Sequence, residues 1–456
     1  MNSILLLFSI FLALMCILQW KNKDLKSIII LISRIFIGLI FIFSGIVKAV
    51  DPLGYTYKII DYFVAFGFPP MEDFSFILAI FFSTAEFILG FGLLIGIYIR
   101  LYLYLVILFM LVFTPLTLVL AITNPVTDCG CFGDALVITN WQTFWKNMII
   151  DIPVLILLLN RIKIKDALKG KLAFTINTIG LISIISISIY SFQHLPILDF
   201  RPYKIGLNIK EGMQMPEGKE GDLFTSTFLY KNTDTQKIQE FAEDNLNEPL
   251  SNEQLWEFVD TKTVKIKDGY HPPIHDFGIV NDKFGDITES VLNDSNYTFI
   301  LVSYRLKNSD FNAFLEFEKL RRDLLQYKFI ALTAALHNEI SNLSDSLNLY
   351  FKDDTSIKLV PESRTIYLYE FEGNIMEFEE SEIPEDDAYT YIGTENINEE
   401  IEPLTALFNF YNCDPTTLKT IVRANPGLIL LKKGTIIQKW HYNDFPTKSE
   451  IENIIE

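Results

Sequence analysis

The sequence predicts a membrane-embedded bundle of α-helices followed by a soluble α/β domain. The chain has 456 residues, and every apolar window long enough to cross a bilayer falls within residues 1–192. The charge divides at the same point, because residues 1–192 carry a net charge of +3 and residues 193–456 a net charge of −21. A single uniform globular body would show neither asymmetry, so two parts of different class are expected.

Six windows approach the roughly 20 apolar residues that a helix needs to span a bilayer core. They lie at 3–20, 28–50, 74–98, 101–123, 143–160 and 173–192. The first window lacks a basic start and a small-residue cleavage site, which favours an uncleaved span over a signal peptide. The fifth window is short and contains Asp151 and Pro153, so hydropathy supports it least.

Lysine and arginine are concentrated in three loops, which follow the first, third and fifth windows and therefore share one side of the membrane. The positive-inside rule predicts that these loops are cytoplasmic. We therefore expect a multi-pass protein of the cytoplasmic (inner) membrane. Loop 124–142 and everything after residue 192 would then be extracytoplasmic (periplasmic), whether or not residues 3–20 span the membrane.

The second half of the chain contains a recognisable order of strands and helices. Residues 193–270 have the pattern of a linker with short strands. Residues 271–456 show strand–helix–strand, then a helix and an antiparallel strand pair, with an acidic insertion at 340–403. Residues 371–402 contain 12 Asp and Glu and no Lys or Arg, which favours a disordered or loosely ordered surface insertion. The strongly acidic balance also argues against nucleic-acid binding.

The order in residues 271–456 resembles the thioredoxin fold, and Pro426 stands where that fold carries a cis-proline. An active thioredoxin-like domain would place Cys-x-x-Cys after the strand Tyr297–Tyr304. Here residues 304–309 contain no cysteine, so no reactive thiolate can form at that place. The resemblance therefore implies a degenerate module that binds or supports a client.

The motif that carries chemistry is Asp128–Asp134 (DCGCFGD), in the outer loop between the fourth and fifth windows. Cys129 and Cys131 are able to close a small, tight disulfide, and Gly130 between them tolerates positive φ. Strained disulfides are easily reduced, and disulfides persist outside the cytoplasm. Three interpretations stay open: a redox-active pair, a purely structural disulfide, or partial metal ligation. Two thiolates are too few for a closed zinc site, so no metal site is predicted.

The membrane half resembles a known family. Phe43–Gly54 (FSGIVKAVDPLG), Ala85–Phe87 (AEF) and the glycine-rich stretch to Gly96 resemble the DoxX family of four-helix membrane proteins. The segment Cys129–Gly133 (CGCFG) resembles the Cys-x-Cys-Phe-Gly loop of its MauE-like branch. This resemblance spans about 28–160. It implies a membrane redox or maturation role, such as electron supply, thiosulfate-linked quinone reduction, or support of disulfide formation in a partner, so a quinone is a candidate cofactor.

These patterns divide the chain into five parts. They are an extra N-terminal span and loop at 1–27, a DoxX/MauE-like helical bundle at 28–160, a cytoplasmic loop and last span at 161–192, an extracytoplasmic linker with short strands at 193–270, and a thioredoxin-like domain lacking Cys-x-x-Cys at 271–456.

The other two cysteines are isolated. Cys16 lies within the first window, where a lone membrane cysteine is usually a packing residue. Cys413 precedes a helix start marked by Asp414 and Pro415. Cys413 is most simply a small apolar residue, and the alternative is an auxiliary thiol that attacks the Cys129–Cys131 disulfide.

Two charges fall inside predicted spans. Glu86 lies near the middle of the third span and Arg34 a third of the way along the second. A charge in hydrocarbon normally faces a partner, and the two depths differ by roughly 9 Å at 1.5 Å per residue. We therefore expect a Glu86–Arg34 ion pair, with a snorkelling Arg34 and a protonated Glu86 as the alternative.

Two functions are compatible with these features. The first is extracytoplasmic thiol–disulfide or quinone-linked electron transfer through Cys129 and Cys131, supporting the maturation of an envelope protein recruited by the degenerate domain. The second is a non-enzymatic membrane scaffold or assembly subunit, whose acidic extracytoplasmic domain docks another envelope protein. A transporter is less compatible with the sequence, because no inverted repeat or midplane polar cluster is evident.

Overall fold

The architecture is taken from a computed structural model of the chain. It describes residues 23–126, 128–252, 254–267, 269–281, 285–336, 339–341, 343, 363–371, 374–378, 390–398 and 409–455. The apolar window at 3–20, and Cys16 within it, lie outside the described residues, so the first span stays a prediction.

The N-terminal half of the described chain contains five helices that are long and apolar enough to cross a bilayer, together with one shorter helix. Their bounds are α1 Lys23–Val50, α2 Pro52–Ala65, α3 Ser75–Ile95, α4 Ile99–Thr123, α5 Asn140–Leu159 and α6 Gly170–Gln193. The five long helices coincide with the last five apolar windows. The least certain of these windows is a continuous helix, α5, because Thr139 and Gln142 form a capping box at its start and Pro153 is tolerated within it.

Helices α1 and α3 pack closely because glycines remove side chains from their contact. A Cβ built on Gly45 would lie 2.5 Å from the backbone nitrogen of Phe87, and one built on Gly38 would lie 3.1 Å from the carbonyl oxygen of Gly90. Small residues at such positions let membrane helices approach each other. Because α1 and α3 run antiparallel and meet at these glycines, the C-terminal end of α1, rather than its middle, lies level with Glu86.

The C-terminal half is an α/β region, which the described residues show as thirteen strands and six helices. The strands are β1 Leu223–Asn232, β2 Ile238–Ala242, β3 Trp256–Lys267, β4 Val280–Asn281, β5 Gly285–Asp286, β6 Tyr297–Ser303, β7 Lys328–Thr333, β8 Ser363–Phe371, β9 Asn374–Phe378, β10 Thr390–Asn398, β11 Asn409–Asn412, β12 Gly427–Lys432 and β13 Thr435–His441. The helices are α7 Ile209–Met213, α8 Asn247–Ser251, α9 Thr288–Asn293, α10 Phe311–Asp323, α11 Pro415–Ile421 and α12 Lys448–Ile455.

The main sheet has seven strands in the order β13-β12-β6-β7-β11-β4-β5. Strands β6, β7 and β11 are parallel, whereas β12 runs antiparallel to both β6 and β13. Alternate residues of β6 enter two separate apolar clusters: Ile300 and Val302 belong to one, and Phe299 and Leu301 to the other. The sheet is therefore buried on both faces. The Asn425–Pro426 peptide bond, just before β12, is cis.

Two smaller antiparallel sheets complete the region. One has the order β2-β1-β3 and lies within residues 193–270, where a linker with short strands was expected; β1 and β3 are longer than that expectation. The other, in the order β10-β8-β9, lies inside the acidic insertion. These paired strands differ from the expected disordered or loosely ordered insertion. The segment 363–371 (SRTIYLYEF) is rich in residues that favour β-strands. The acidic composition of the insertion led to the expectation of disorder.

Candidate functional site

The site is centred on two cysteines in the loop between α4 and α5. The sulfur atoms of Cys129 and Cys131 lie 2.8 Å apart, and both are free thiols in this structure. A disulfide bond has a sulfur–sulfur length of about 2.05 Å, so the two atoms are placed for bond formation with little movement. Cys129 is only 8% exposed, whereas Cys131 is partly exposed.

The cysteine loop is fixed from both sides by hydrogen bonds to its carbonyl groups. The hydroxyl of Ser44 in α1 donates to the carbonyl oxygen of Cys131 at 2.8 Å. The hydroxyl of Tyr62 in α2 donates to the carbonyl oxygen of Cys129 at 2.7 Å. Gly130 has a φ of +63°, a conformation that a side chain would strain. The loop geometry is therefore imposed by its surroundings as well as by its own sequence.

Asp128 ties the same loop to α2. Its carboxylate accepts a hydrogen bond from the backbone nitrogen of Gly130 at 2.9 Å and forms an ion pair with Lys58 at 2.6 Å. A Cβ on Gly130 would come within 2.9 Å of the Lys58 side chain, so glycine is required here for space as well as for conformation. Helix α2 thus covers the cysteine loop.

A buried ion pair lies beneath the loop. Lys48 Nζ is 2.6 Å from Glu86 Oε1, and the two side chains are 4% and 6% exposed. Ser44 Oγ also lies 2.6 Å from the other oxygen of Glu86, so its single hydroxyl hydrogen is shared between this carboxylate and the carbonyl oxygen of Cys131. A buried charge pair of this kind requires such additional hydrogen bonds to offset desolvation.

The predicted Glu86–Arg34 pair is wrong, because Glu86 pairs with Lys48. The prediction compared the depths of Glu86 and Arg34 along their own helices, without the contact between α1 and α3. The glycine contacts between these helices place Glu86 level with the last turns of α1. Lys48 follows Arg34 by 14 residues, or about 21 Å of helix. Arg34 instead lies near Gly96, at the opposite end of the bundle.

A small cavity of about 60 Å³ connects these groups. Its polar lining includes both cysteines, the Lys48–Glu86 pair and Lys146, and its apolar lining is largely aromatic. The aromatic side chains are Phe41, Tyr55, Tyr62, Phe109, Phe113 and Phe132. Lys146 Nζ lies 4.6 Å from the ring centre of Phe132, which holds a second cation beside the thiols.

The two thiols are electrostatically unequal. The hydrogen bond from the Cys129 thiol lowers the pKa of Cys131 to about 6, and the positive charges of Lys146 and Lys48 act in the same direction against burial. The same contact and burial raise the pKa of Cys129. Because a thiolate is the nucleophile in disulfide exchange, Cys131 is the member of the pair prepared to react.

The α/β region contacts the bundle directly above this loop through Arg423. Its Nε lies 2.9 Å from Asp51 Oδ2 and its Nη2 lies 2.8 Å from Asp134 Oδ2. Asp51 caps α2, and Asp134 ends the cysteine motif, three residues after Cys131. Arg423 is 5% exposed, so a single side chain of the α/β region is buried between the two elements that enclose the cysteines.

Tyr304 makes a second contact across the same interface. Its hydroxyl accepts a hydrogen bond at 2.9 Å from the hydroxyl of Tyr57 in α2. Tyr304 directly follows β6, and together with Tyr57 it lines a cavity of about 240 Å³, which is lined also by Asp61, Lys419 and Asn425. The edge of the main sheet that carries Tyr304 and Asn425 therefore faces the membrane bundle.

Cys413 is not brought to the cysteine pair. It follows β11, which is two strands from β6, and it lines a different cavity with Asn281 and Asn412. Burial raises the pKa of its thiol to about 11. Its role as an auxiliary thiol stays a prediction.

A family comparison matches the membrane part of the chain. Residues 26–160 match the family model described as methylamine utilisation protein MauE. The MauE-like segment is thus less than a third of the chain, and it contains the cysteine loop, Lys48 and Glu86. No curated protein and no solved structure matches the chain. The match supports the MauE-like part of the predicted resemblance; the DoxX and thioredoxin-like parts stay predictions.

Several residues of the site were not predicted from the sequence. Ser44, Lys48 and Asp51 all lie within the segment Phe43–Gly54 that carried the family resemblance, and a lysine inside an apolar span was an available signal for an ion pair. Arg423 had no such signal, because its two carboxylate partners lie about 290 and 370 residues away. The described residues contain no cluster of three or more His, Cys, Asp or Glu placed to hold a metal.

Proposed function

We propose that this protein is a membrane thiol–disulfide oxidoreductase in which Cys129 and Cys131 cycle between dithiol and disulfide. The observation that carries the proposal is the 2.8 Å separation of the two sulfurs beside the buried Lys48 and the partly buried Lys146. In the oxidising step the pair loses two electrons and two protons and gains the sulfur–sulfur bond. In the reverse step a client dithiol becomes a disulfide and returns the pair to two thiols.

A quinone is our candidate electron acceptor, since it takes up two electrons and two protons to become a quinol. The aromatic lining of the cavity beside Cys131 suits a planar ring, and Lys48 and Lys146 would stabilise charge on its oxygens. The cavity volume of about 60 Å³ holds only small molecules. Entry of a quinone ring therefore requires side chains such as Phe109 or Phe113 to move.

We further propose that the protein resides in the cytoplasmic membrane with its cysteine loop and α/β region outside. The loop after α5 is rich in lysine, and the α/β region lies on the other side of the bundle together with the cysteines. The order of β13, β12, β6 and β7, with α10 between β6 and β7, supports a thioredoxin-like domain. In this proposal the domain recruits an envelope protein and does no thiol chemistry of its own, because Tyr304–Ser309 lacks cysteine.

A redox role is tested by trapping thiols with an alkylating reagent in intact cells and measuring the state of Cys129 and Cys131 by mass spectrometry. Both cysteines should shift between alkylated and disulfide forms when cells are exposed to reductant and then recover. The variant Cys129→Ser/Cys131→Ser should accumulate reduced envelope proteins, whereas Cys413→Ser should behave as wild type. A pair that stays in one state throughout would overturn the proposal.

A non-enzymatic scaffold is the second candidate, and the burial of Cys129 favours it, because a client protein cannot reach that sulfur without movement. The scaffold hypothesis predicts that the double serine variant changes only the amount of protein or of an assembled partner. Co-purification followed by mass spectrometry of alkylated thiols distinguishes the two candidates, since it reports bound partners and their thiol states together.

A further inference from the structure

The end of the bundle opposite the cysteine loop contains a basic cavity of about 420 Å³. It lies between the first turns of α1 and the loop that follows α5. Its lining includes the four cationic side chains Lys26, Arg34, Lys163 and Lys165, and none of the described residues that line it carries a carboxylate. Four cations around one cavity, none of them ion-paired within the part of the chain that the structure describes, constitute a site for an anion.

Arg34 supplies a second, independent observation. Its Nε atom is buried and has no hydrogen-bond partner among the described residues. Burying a polar group costs free energy unless it is hydrogen-bonded, so this donor requires an acceptor that the described part of the chain does not provide. A guanidinium prefers a phosphate or carboxylate oxygen, with which it forms charge-assisted hydrogen bonds.

The apolar residues that line the rest of the cavity indicate what kind of molecule carries the anionic group. Ile30 and Leu31 also line it, and Leu31 is 46% exposed on the outer surface of the bundle. This apolar surface continues along α1, where Ile28 and Leu39 are also half-exposed. A cationic cavity that opens onto an apolar helix face fits a molecule with a charged head and a hydrocarbon tail.

We propose that this cavity binds the phosphate group of an anionic phospholipid at the membrane surface. Arg34 Nε and the three lysines would contact the phosphate, and an acyl chain would lie along the apolar side of α1. The site is separate from the cysteine pair, so this inference does not depend on the proposed redox function.

Native mass spectrometry of the full-length protein tests the proposal, with equal amounts of phosphatidylglycerol and phosphatidylcholine added as lipid probes. The wild type should retain phosphatidylglycerol in clear preference. The variant Lys26→Gln/Lys165→Gln changes two side chains near the surface and should weaken that binding about 25-fold, which is about fivefold for each cation at roughly 1 kcal/mol per basic residue. Arg34→Gln should weaken it further.

Lys171→Gln is the matched control, because Lys171 is an exposed lysine at the same end of the bundle that does not line the cavity. It should leave the preference unchanged. Equal retention of both lipids by the wild type, or equal loss in the control and the cavity variants, would overturn the proposal. Tight binding of inorganic phosphate without a lipid preference would also overturn it, since the site would then be one for a free anion.

Discussion

Arg423 of the α/β region forms an ion pair with Asp51 of the membrane bundle, with Arg423 Nε 2.9 Å from Asp51 Oδ2, although the two residues are 372 positions apart in the chain. Asp51 is also the N-cap of α2, the helix that covers the cysteine loop. The position of the α/β region is thus linked to the element that controls access to Cys129 and Cys131.

The first prediction concerns this link. Arg423→Ala leaves Asp51 and Asp134 without their shared partner in a largely buried place, which should cost roughly 3–5 kcal/mol of interface stability. We expect faster hydrogen exchange in α2 and easier alkylation of Cys129 and Cys131. Lys307→Gln, at an exposed position of the same region, should leave both unchanged. An unchanged exchange rate in Arg423→Ala would show that the contact does not hold α2.

The second prediction concerns Lys48 and Glu86. Glu86→Gln leaves a buried lysine unpaired and should destabilise the bundle by roughly 3–5 kcal/mol, measured by unfolding in detergent. Replacing both charges, as in Lys48→Met/Glu86→Gln, should restore much of that loss because no lone charge remains buried. Asp73→Asn, at an exposed position, is the control. Equal losses in the single and double variants would contradict a direct pairing.

The third prediction is a pH dependence of thiol reactivity. The pKa of Cys131 is lowered to about 6, so its reactive thiolate form is populated above that pH and lost below it. In the reduced protein, the rate of alkylation of Cys131 should therefore decrease as the pH is lowered, with a midpoint near pH 6. Cys129 and Cys413, whose pKa values are raised, should react more slowly than Cys131 at neutral pH.

Lys146→Gln provides the check on the cause of this shift. Removal of that positive charge should move the alkylation midpoint of Cys131 to higher pH, because the thiolate loses a stabilising neighbour. A midpoint that is near pH 8.5 in the wild type, or a faster reaction at Cys129 than at Cys131, would refute the assignment of Cys131 as the nucleophile.

The fourth prediction concerns the segment that joins the two halves of the chain. Asp199 contacts Arg201 at 2.7 Å and Lys439 of β13 at 2.5 Å. Burial alone would raise the pKa of Asp199, but these two cations outweigh it and lower the pKa to about 2. A lowered pKa adds stability that is fully present above about pH 4 and is lost as the pH falls towards 2.

Asp199→Asn should therefore be less stable than the wild type at pH 6, and the difference should shrink between about pH 4 and pH 2. Thermal unfolding across this range measures it. Asp234→Asn, at an exposed hairpin position, should follow the wild-type profile. A constant difference at every pH would mean that the charge of Asp199 does not contribute.

Local patterns predicted much of the fold. Apolar windows located α1, α3, α4, α5 and α6, because span length is set by bilayer thickness and not by neighbours. The dense apolar run of β6 and the cap at Asp414 were equally local signals. The strands inside the acidic insertion were not predicted, because the acidic composition of that segment favours disorder. The pairing of these strands in a sheet offsets that tendency.

The site was less predictable because its contacts depend on packing. The cysteine motif was visible in seven residues, but the partner of Glu86 depends on how α1 and α3 meet at Gly45. Likewise, Asp199 and Arg201 lie in a segment that looked like a linker, and only the position of Lys439 in β13 shows that it is anchored. Distances along the chain contain no information about such contacts.

The central claim is that Cys129 and Cys131 form a reversible redox pair. The most direct measurement is the intact mass of purified full-length protein, with Cys413→Ser as background, equilibrated against graded ratios of reduced and oxidised dithiothreitol. We expect a single reversible two-electron transition in which the oxidised form is 2 Da lighter and the bond maps to Cys129 and Cys131. Two thiols that never form this bond, or a disulfide that never reopens in the folded protein, would contradict the claim.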